Sequence, residues 1–190
     1  MGSTSTPRPM RADARRNYER ILSVAREAFT EHGPDAPLDD IARRAQVGPG
    51  TLYRHFPNRE ALIEAVYRAD IEARTQRTTE LLETLPPGEA FEEWMRGYVE
   101  AVRGNRSLAT TLKAAMDHDS ETFALCKKML HDAAAKIVRA AQDGGVIRDD
   151  VTPRDLLLMV HAIGVAAEAT PDAAPRLLTV MLDGLRRQEP

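Results

Sequence analysis

The sequence predicts an all-α protein, with a compact three-helix unit at its N-terminus and a longer helical bundle behind it. Three observations predict this. Alanine, leucine, arginine and glutamate dominate the 190 residues, and all four favour helix. Apolar residues recur at i, i+3, i+4 and i+7, and no stretch alternates β-branched and polar residues between hairpin turns. Glycine and proline stand at the ends of the periodic stretches, where they end or begin helices. At 43% hydrophobic, the chain has enough apolar surface for one or two domains.

Residues 1–11 hold Ser, Thr, Pro and Arg without apolar periodicity, and predict a disordered arm. Arg8, Arg11, Arg15 and Arg16 cluster at its end. They suit contact with phosphate or the minor groove, and equally a solubilising tail. Ala12 to His32 reads as the first helix, with Ile21, Leu22, Ala25, Ala28 and Phe29 on one face and Gly33 as its stop. Leu38, Ile41, Ala42 and Ala45 then mark a short second helix, and Gln46-Val47-Gly48 a turn. The left-handed backbone of that turn is expected at Gly48. Pro49 suits the first turn of a third helix, which Pro57 closes. Leu52, Tyr53 and Phe56 are expected to face the first helix, leaving Gly50, Thr51, Arg54 and His55 outward. Helix, tight turn, short helix is the pattern in which the second helix reads a DNA major groove. A plain helical hairpin in a core would show the same face split.

The order Asp40-Ile41-Ala42, Ala45, Val47, Gly50-Thr51-Leu52-Tyr53, then His55-Phe56-Pro57-Asn58-Arg59-Glu60-Ala61-Leu62 resembles the signature of tetracycline-repressor-type (TetR-type) regulators. The signature covers the first third of the chain and fixes more than ten positions in order. The resemblance implies a helix-turn-helix DNA-binding domain over 12–57 and an effector-binding and dimerisation domain over 58–190. It implies Arg43, Arg44, Tyr53, His55 and Arg59 on phosphates and Gly50, Thr51 and Arg54 on base edges. The sequence departs from the pattern at Pro37, where the family usually has a capping Ser or Thr, and at Gly48 and Pro49, where it often has Ser and a basic residue. Both departures imply fewer phosphate contacts.

Asn58 to Leu85 predicts a long connecting helix, capped by Asn58 and ended by Pro86-Pro87-Gly88. In TetR-type proteins this helix moves when an effector binds. Glu89 to Gly104 reads as the next helix, Asn105 to Met116 as a short one begun at Ser107, and Ser120 as the start of another that Gly144-Gly145 stops. Thr152 and Pro153 open a helix that Pro171 breaks, and Ala173 to Leu185 is the last. These two helices, about 154–169 and 173–185, carry more apolar surface than one face needs. Gly164, Ala166 and Ala167 would allow close approach. In the family the last two long helices pair with their copies in a homodimer. Trp94, Met95, Tyr98, Met116, Phe123, Met129 and Met159 are candidates to line an effector cavity, and read equally well as plain core.

Charge is divided. Residues 1–59 carry ten Arg against seven acidic residues, while the remainder carries a net −6, for a total of −3. A basic front on an acidic body suits a protein that offers one end to phosphate. One cysteine, Cys126, excludes an internal disulfide. No apolar run reaches the roughly 18–20 residues of a membrane span, and no signal peptide is evident. No His-x-x-x-His pair or phosphate-cradling glycine loop occurs. Cys126 and His131 diverge by roughly 140° on their helix. The expectation is therefore a cytoplasmic, non-enzymatic regulator without metal or cofactor. It would bind a palindromic double-stranded operator as a homodimer, as a repressor released by a small apolar or amphipathic effector. An activator of the same fold, or a helical small-molecule-binding protein with a vestigial helix-turn-helix, stays open.

Overall fold

The computed structural model describes residues 8–104, 112, 115–170 and 172–187. Among the described residues, eight helices follow one another: α1 Arg8–His32, α2 Leu38–Arg44, α3 Pro49–His55, α4 Arg59–Thr84, α5 Pro87–Gly104, α6 Glu121–Asp143, α7 Pro153–Ala169 and α8 Ala173–Leu185. Among the described residues there is no strand, only an isolated bridge between Ile147 and Arg186. The all-α expectation holds. Helix α1 begins four residues before Ala12, so the last part of the expected arm is helical. Residues 1–7, most of the short helix expected over 105–116, and Pro171 lie outside the described residues.

The boundaries have local causes. Asn58 caps α4 by accepting a hydrogen bond from the Ala61 N–H, and Ser120 caps α6 through the Phe123 N–H. Thr152 and Asp155 form a reciprocal capping box on α7, with Pro153 at its first position. Hydrogen bonding to Thr152 holds the Asp155 carboxyl below the usual carboxylate range. Gly33 (φ +74) ends α1, and Gly145 (φ +67) follows the α6 cap. Pro37 caps α2 without a side-chain hydrogen bond.

The turn between α2 and α3 corrects one expectation. The left-handed residue is Gln46 (φ 54), whereas Gly48 is extended (φ −69) and serves as the α3 N-cap. The Gln46 N–H donates to the Arg43 carbonyl and the Val47 N–H to the Ala42 carbonyl, which is a Schellman closure of α2. That closure needs its left-handed residue directly after the Ala45 cap, two residues earlier than the glycine.

Two cores form. The first joins Ile21, Ala25 and Phe29 of α1, Ile41 and Ala42 of α2, Leu52 and Phe56, and Leu62, Ile63, Val66 and Ile71 of α4. It continues into Leu112, Met116 and Cys126, so it does not stop at residue 57. The second joins Leu81, Phe91, Trp94, Met95, Ile137, Leu156, Val160 and Leu178. Helix α4 packs on α6, α5 on α7, and α7 on α8. The small size of Gly164 is used inside the subunit. A Cβ there would lie 2.5 Å from Val102 Cβ on α5.

Two substitutions test this packing. Gln46→Gly removes left-handed strain and should stabilise the fold by about 0.5–1 kcal/mol, raising Tm by about 2–4 °C per kcal/mol; a lower Tm would contradict the turn geometry. Gly164→Ala should destabilise by about 1–3 kcal/mol, because the added methyl would meet Val102 Cβ and Cγ1 at 2.5 Å and a short β-branched side chain cannot swing away. An unchanged melting curve for Gly164→Ala would show that α5 and α7 are not in close contact.

Candidate nucleic-acid interface and effector cavity

Helix α3 presents a polar outer face because its apolar residues are spent inward. Leu52 is 1% exposed and Phe56 2%. Gly50, Arg54 and also Tyr53 are exposed, and Thr51 and His55 are half-buried. Tyr53, at 47% exposure, therefore faces solvent rather than α1 as the spacing suggested. Its place is taken by Tyr18 of α1, stacked on Phe56 at 5.2 Å between ring centroids and edge-on to His55 at 5.9 Å. Tyr18 is the residue that sequence reasoning missed here. Its spacing from Ile21 and Leu22 on α1 was the available signal.

The basic residues near α3 differ in how committed they are. Arg44 donates to both Glu31 oxygens, at 2.7 and 3.2 Å, and to Glu27 at 3.3 Å. These bonds fasten α2 to α1, and they hold the Glu31 carboxyl below its ordinary value. Arg59 Nη1 donates to the carbonyls of Pro34 (2.8 Å) and Ala36 (2.5 Å), tying the start of α4 to the α1–α2 loop. Arg43 is exposed and paired with Asp40 one turn back. Arg54 is exposed and, among the described residues, has no ion-pair partner. Of the arginines near α3 it is the one engaged in no side-chain hydrogen bond or ion pair among the described residues, whereas Arg43, Arg44 and Arg59 are engaged.

The body holds a cavity of about 320 Å³ walled by α4, α5 and α6, with Arg26 of α1 at its edge. Of the seven candidate lining residues, Trp94 and Tyr98 line it. Their rings lie 5.4 Å apart. Trp94 Nε1 donates to Thr78 Oγ1 at 2.9 Å, and Thr78 donates to the Arg74 carbonyl at 3.2 Å. Burial raises the Tyr98 hydroxyl above its ordinary value, so it remains a neutral donor. The other five lie elsewhere. Met95 is fully buried core and Met116 is buried in the first core. The Phe123 ring stacks on His118 at 4.7 Å. Met129 borders a small depression with Thr75, and Met159 a cleft between α7 and α8. Methionine fills irregular cores as readily as it lines cavities, so residue type alone did not separate the two.

The polar wall was missed. Asp70, Arg74, Arg77, Thr78 and Leu81 line the cavity from α4. They fall at i, i+4, i+7, i+8 and i+11, one helical face on which polar residues interrupt the apolar stripe. That interruption was the signal. Asp70 is 8% exposed and paired with Arg26 at 2.9 Å and Arg74 at 2.7 Å.

Other chemistries find little support. Among the described residues, no three His, Cys, Asp or Glu side chains converge on a metal position. Cys126 is fully buried, and burial pushes its thiol up, which disfavours the nucleophilic thiolate. No helix among the described residues is long and apolar enough to cross a membrane.

Comparison with known proteins agrees with this arrangement. Residues 21–66 match the family described as bacterial regulatory proteins, tetR family. Residues 86–187 match the C-terminal domain described as transcriptional regulator SbtR-like. The HTH-type transcriptional regulator UidR of Escherichia coli (strain K12) is 30% identical over 168 residues, covering 84% of this chain and 86% of UidR. Among solved structures, the TetR transcriptional regulator SCO0520 of Streptomyces coelicolor is 35% identical, with a TM-score of 0.74 over 90% of this chain and 99% of that one. A TetR regulatory protein of Mycobacterium vanbaalenii is 32% identical, with a TM-score of 0.78 over 94% of this chain and 99% of that one. A free-faced reading helix on a three-helix core, carried by an all-helical body, thus has its explanation: the chain belongs to the TetR family of transcriptional regulators, which bind DNA through a helix-turn-helix domain and are not enzymes.

Proposed function

We propose that the protein is a homodimeric repressor in the cytoplasm that leaves its operator when a small molecule enters the α4–α5–α6 cavity. The observation that carries this is α4 itself. Its first turns pack on α1 and enter the core that also holds α3, and its middle lines the cavity. A ligand that favours one position of α4 changes the presentation of α3, and so changes operator affinity.

In this reading two α3 helices enter successive major grooves about 34–36 Å apart on a palindromic duplex. Gly50, Thr51 and Arg54 face base edges. Arg43, Tyr53 and His55 meet phosphates. Arg44 and Arg59 act first as fasteners of the domain and reach phosphate only with the donors left to them. The pairing surface is α7 with α8. Helix α7 buries Leu156, Val160, Gly164 and Ala167 inward, yet also exposes Leu158, Ala162 and Val165, and α8 exposes Val180. A second apolar stripe on the same helix suits a two-fold partner.

Binding to a duplex from upstream of the protein's own gene, titrated at fixed salt, tests the reading. Arg54→Ala should weaken it by about 1–3 kcal/mol, and unchanged affinity would remove α3 from the interface. Leu158→Glu combined with Val180→Glu should convert a dimer to monomers in sedimentation, with loss of operator binding; a persisting dimer would move the interface elsewhere. Transcript levels of the flanking genes should rise when the protein is absent. A fall would favour an activator, and absence of any duplex binding would favour a small-molecule carrier.

A further inference from the structure

The cavity's charge indicates what it takes. Among the described residues its lining has three guanidinium groups, Arg26, Arg74 and Arg77, and two carboxylates, Asp70 and Glu93. Glu93 is already paired with Arg96, which is not part of the wall, and Arg77 lies 3.5 Å from Glu80. Arg26 and Arg74 share one carboxylate, Asp70. The Arg74 side chain is 19% exposed. Its Nη2 lies 2.7 Å from Asp70 Oδ2 in an alignment too poor for a hydrogen bond, so a buried donor still has a proton to offer. Buried donors of this kind cost stability unless an acceptor reaches them. Apart from Thr78, the rest of the described wall is apolar or aromatic, with Leu81, Trp94 and Tyr98 foremost.

Resting on the effector reading above, we infer that the ligand is a monoanion, a carboxylate or sulfonate on an aromatic or apolar body, whose charged end competes with Asp70 for Arg74 and Arg26. The anion gives Arg74 Nη2 the aligned acceptor that Asp70 does not, and its body lies against Trp94 and Tyr98. Arg26 belongs to α1 and Asp70 to α4, so this competition acts on the ion pair that joins the DNA-binding helices to the cavity wall. A cationic ligand finds the reverse: Asp70 is doubly paired, and Arg74 repels it. A neutral ligand can at most accept a hydrogen bond from Arg74 and leaves the guanidinium charge unmatched.

The test uses two probes that share one body. 1-Anilinonaphthalene-8-sulfonate carries the anion, and N-phenyl-1-naphthylamine lacks it. Trp94 is the chain's single tryptophan and lines the cavity, so quenching of its emission reports binding there. Arg74→Gln is expected to weaken the sulfonate at least fivefold while leaving the neutral probe within twofold. Asp70→Asn is expected to tighten the sulfonate at least threefold, with unchanged neutral-probe binding showing that the cavity is intact. Should Asp70→Asn fail to fold, the Arg74→Gln pair of titrations decides alone. Equal effects of Arg74→Gln on both probes, or none on either, overturn the inference, as does a sulfonate weakened by Asp70→Asn. Binding of the neutral probe alone overturns the anion while leaving the effector cavity standing. If neither probe quenches Trp94, the effector reading falls as well.

Discussion

Helix α4 contributes buried residues to both hydrophobic cores. At 26 residues it is about 39 Å long. Leu62, Ile63, Val66 and Ile71 complete the core under α1, α2 and α3, and Leu81 enters the core of the body. Between them lies Asp70, an acidic residue held nearly out of water by Arg26 and Arg74. A buried carboxylate is tolerated only with paired charge, and removing one partner of such a group strands the other. Arg26 is half-exposed, so water screens part of that pair. The constraint is nevertheless directional, because it sets where along α4 the first helix lies.

The reading helix depends on this arrangement from above. A seven-residue helix is too short to persist alone, so α3 exists because its neighbours hold it. Leu52 and Phe56 anchor it, Tyr18 covers its end, Arg44 binds α2 to α1, and Arg59 ties α4 to the preceding loop. Charged side chains that a DNA-binding protein could have offered to phosphate are thereby used to stiffen a small domain. The free donors gather at Arg54. Precision of presentation is what a groove-reading helix needs, and a rigid support supplies it.

Most of the fold was legible because helix ends are written locally. Asn58, Ser120, Thr152 with Pro153, Gly33 and Gly145 each act within four residues of themselves, so their chemistry can be read from the string. The helix-turn-helix was legible for the same reason. Gln46 was misjudged in favour of Gly48 because residue type pointed to the glycine, while the register of the α2 hydrogen bonds demanded a left-handed residue earlier. Tyr53 was misjudged because a short helix has few apolar positions, and Tyr18 from a distant segment filled the place. The cavity was the least legible part. Its shape arises where three helices fail to meet, and no single stretch encodes that. Trp94 and Tyr98 were found by their type, whereas Asp70 pairs with Arg74 and with Arg26, the latter 44 residues away in sequence.

Gly164 marks the same limit from the other side. Its small size suggested close approach between subunits, yet within the chain it already accommodates Val102. Leu158 and Val165 on α7 and Val180 on α8 are large apolar residues that remain outward. Only packing could tell these two kinds of apolar position apart.

The claim that one helix carries a change at α3 to the cavity wall is tested most directly by amide hydrogen exchange, with and without a bound duplex. The account predicts altered protection along α4 through residues 70–78 and into the cavity-facing part of α5. A change confined to residues 38–58, with the cavity segment of α4 exchanging as before, would contradict it.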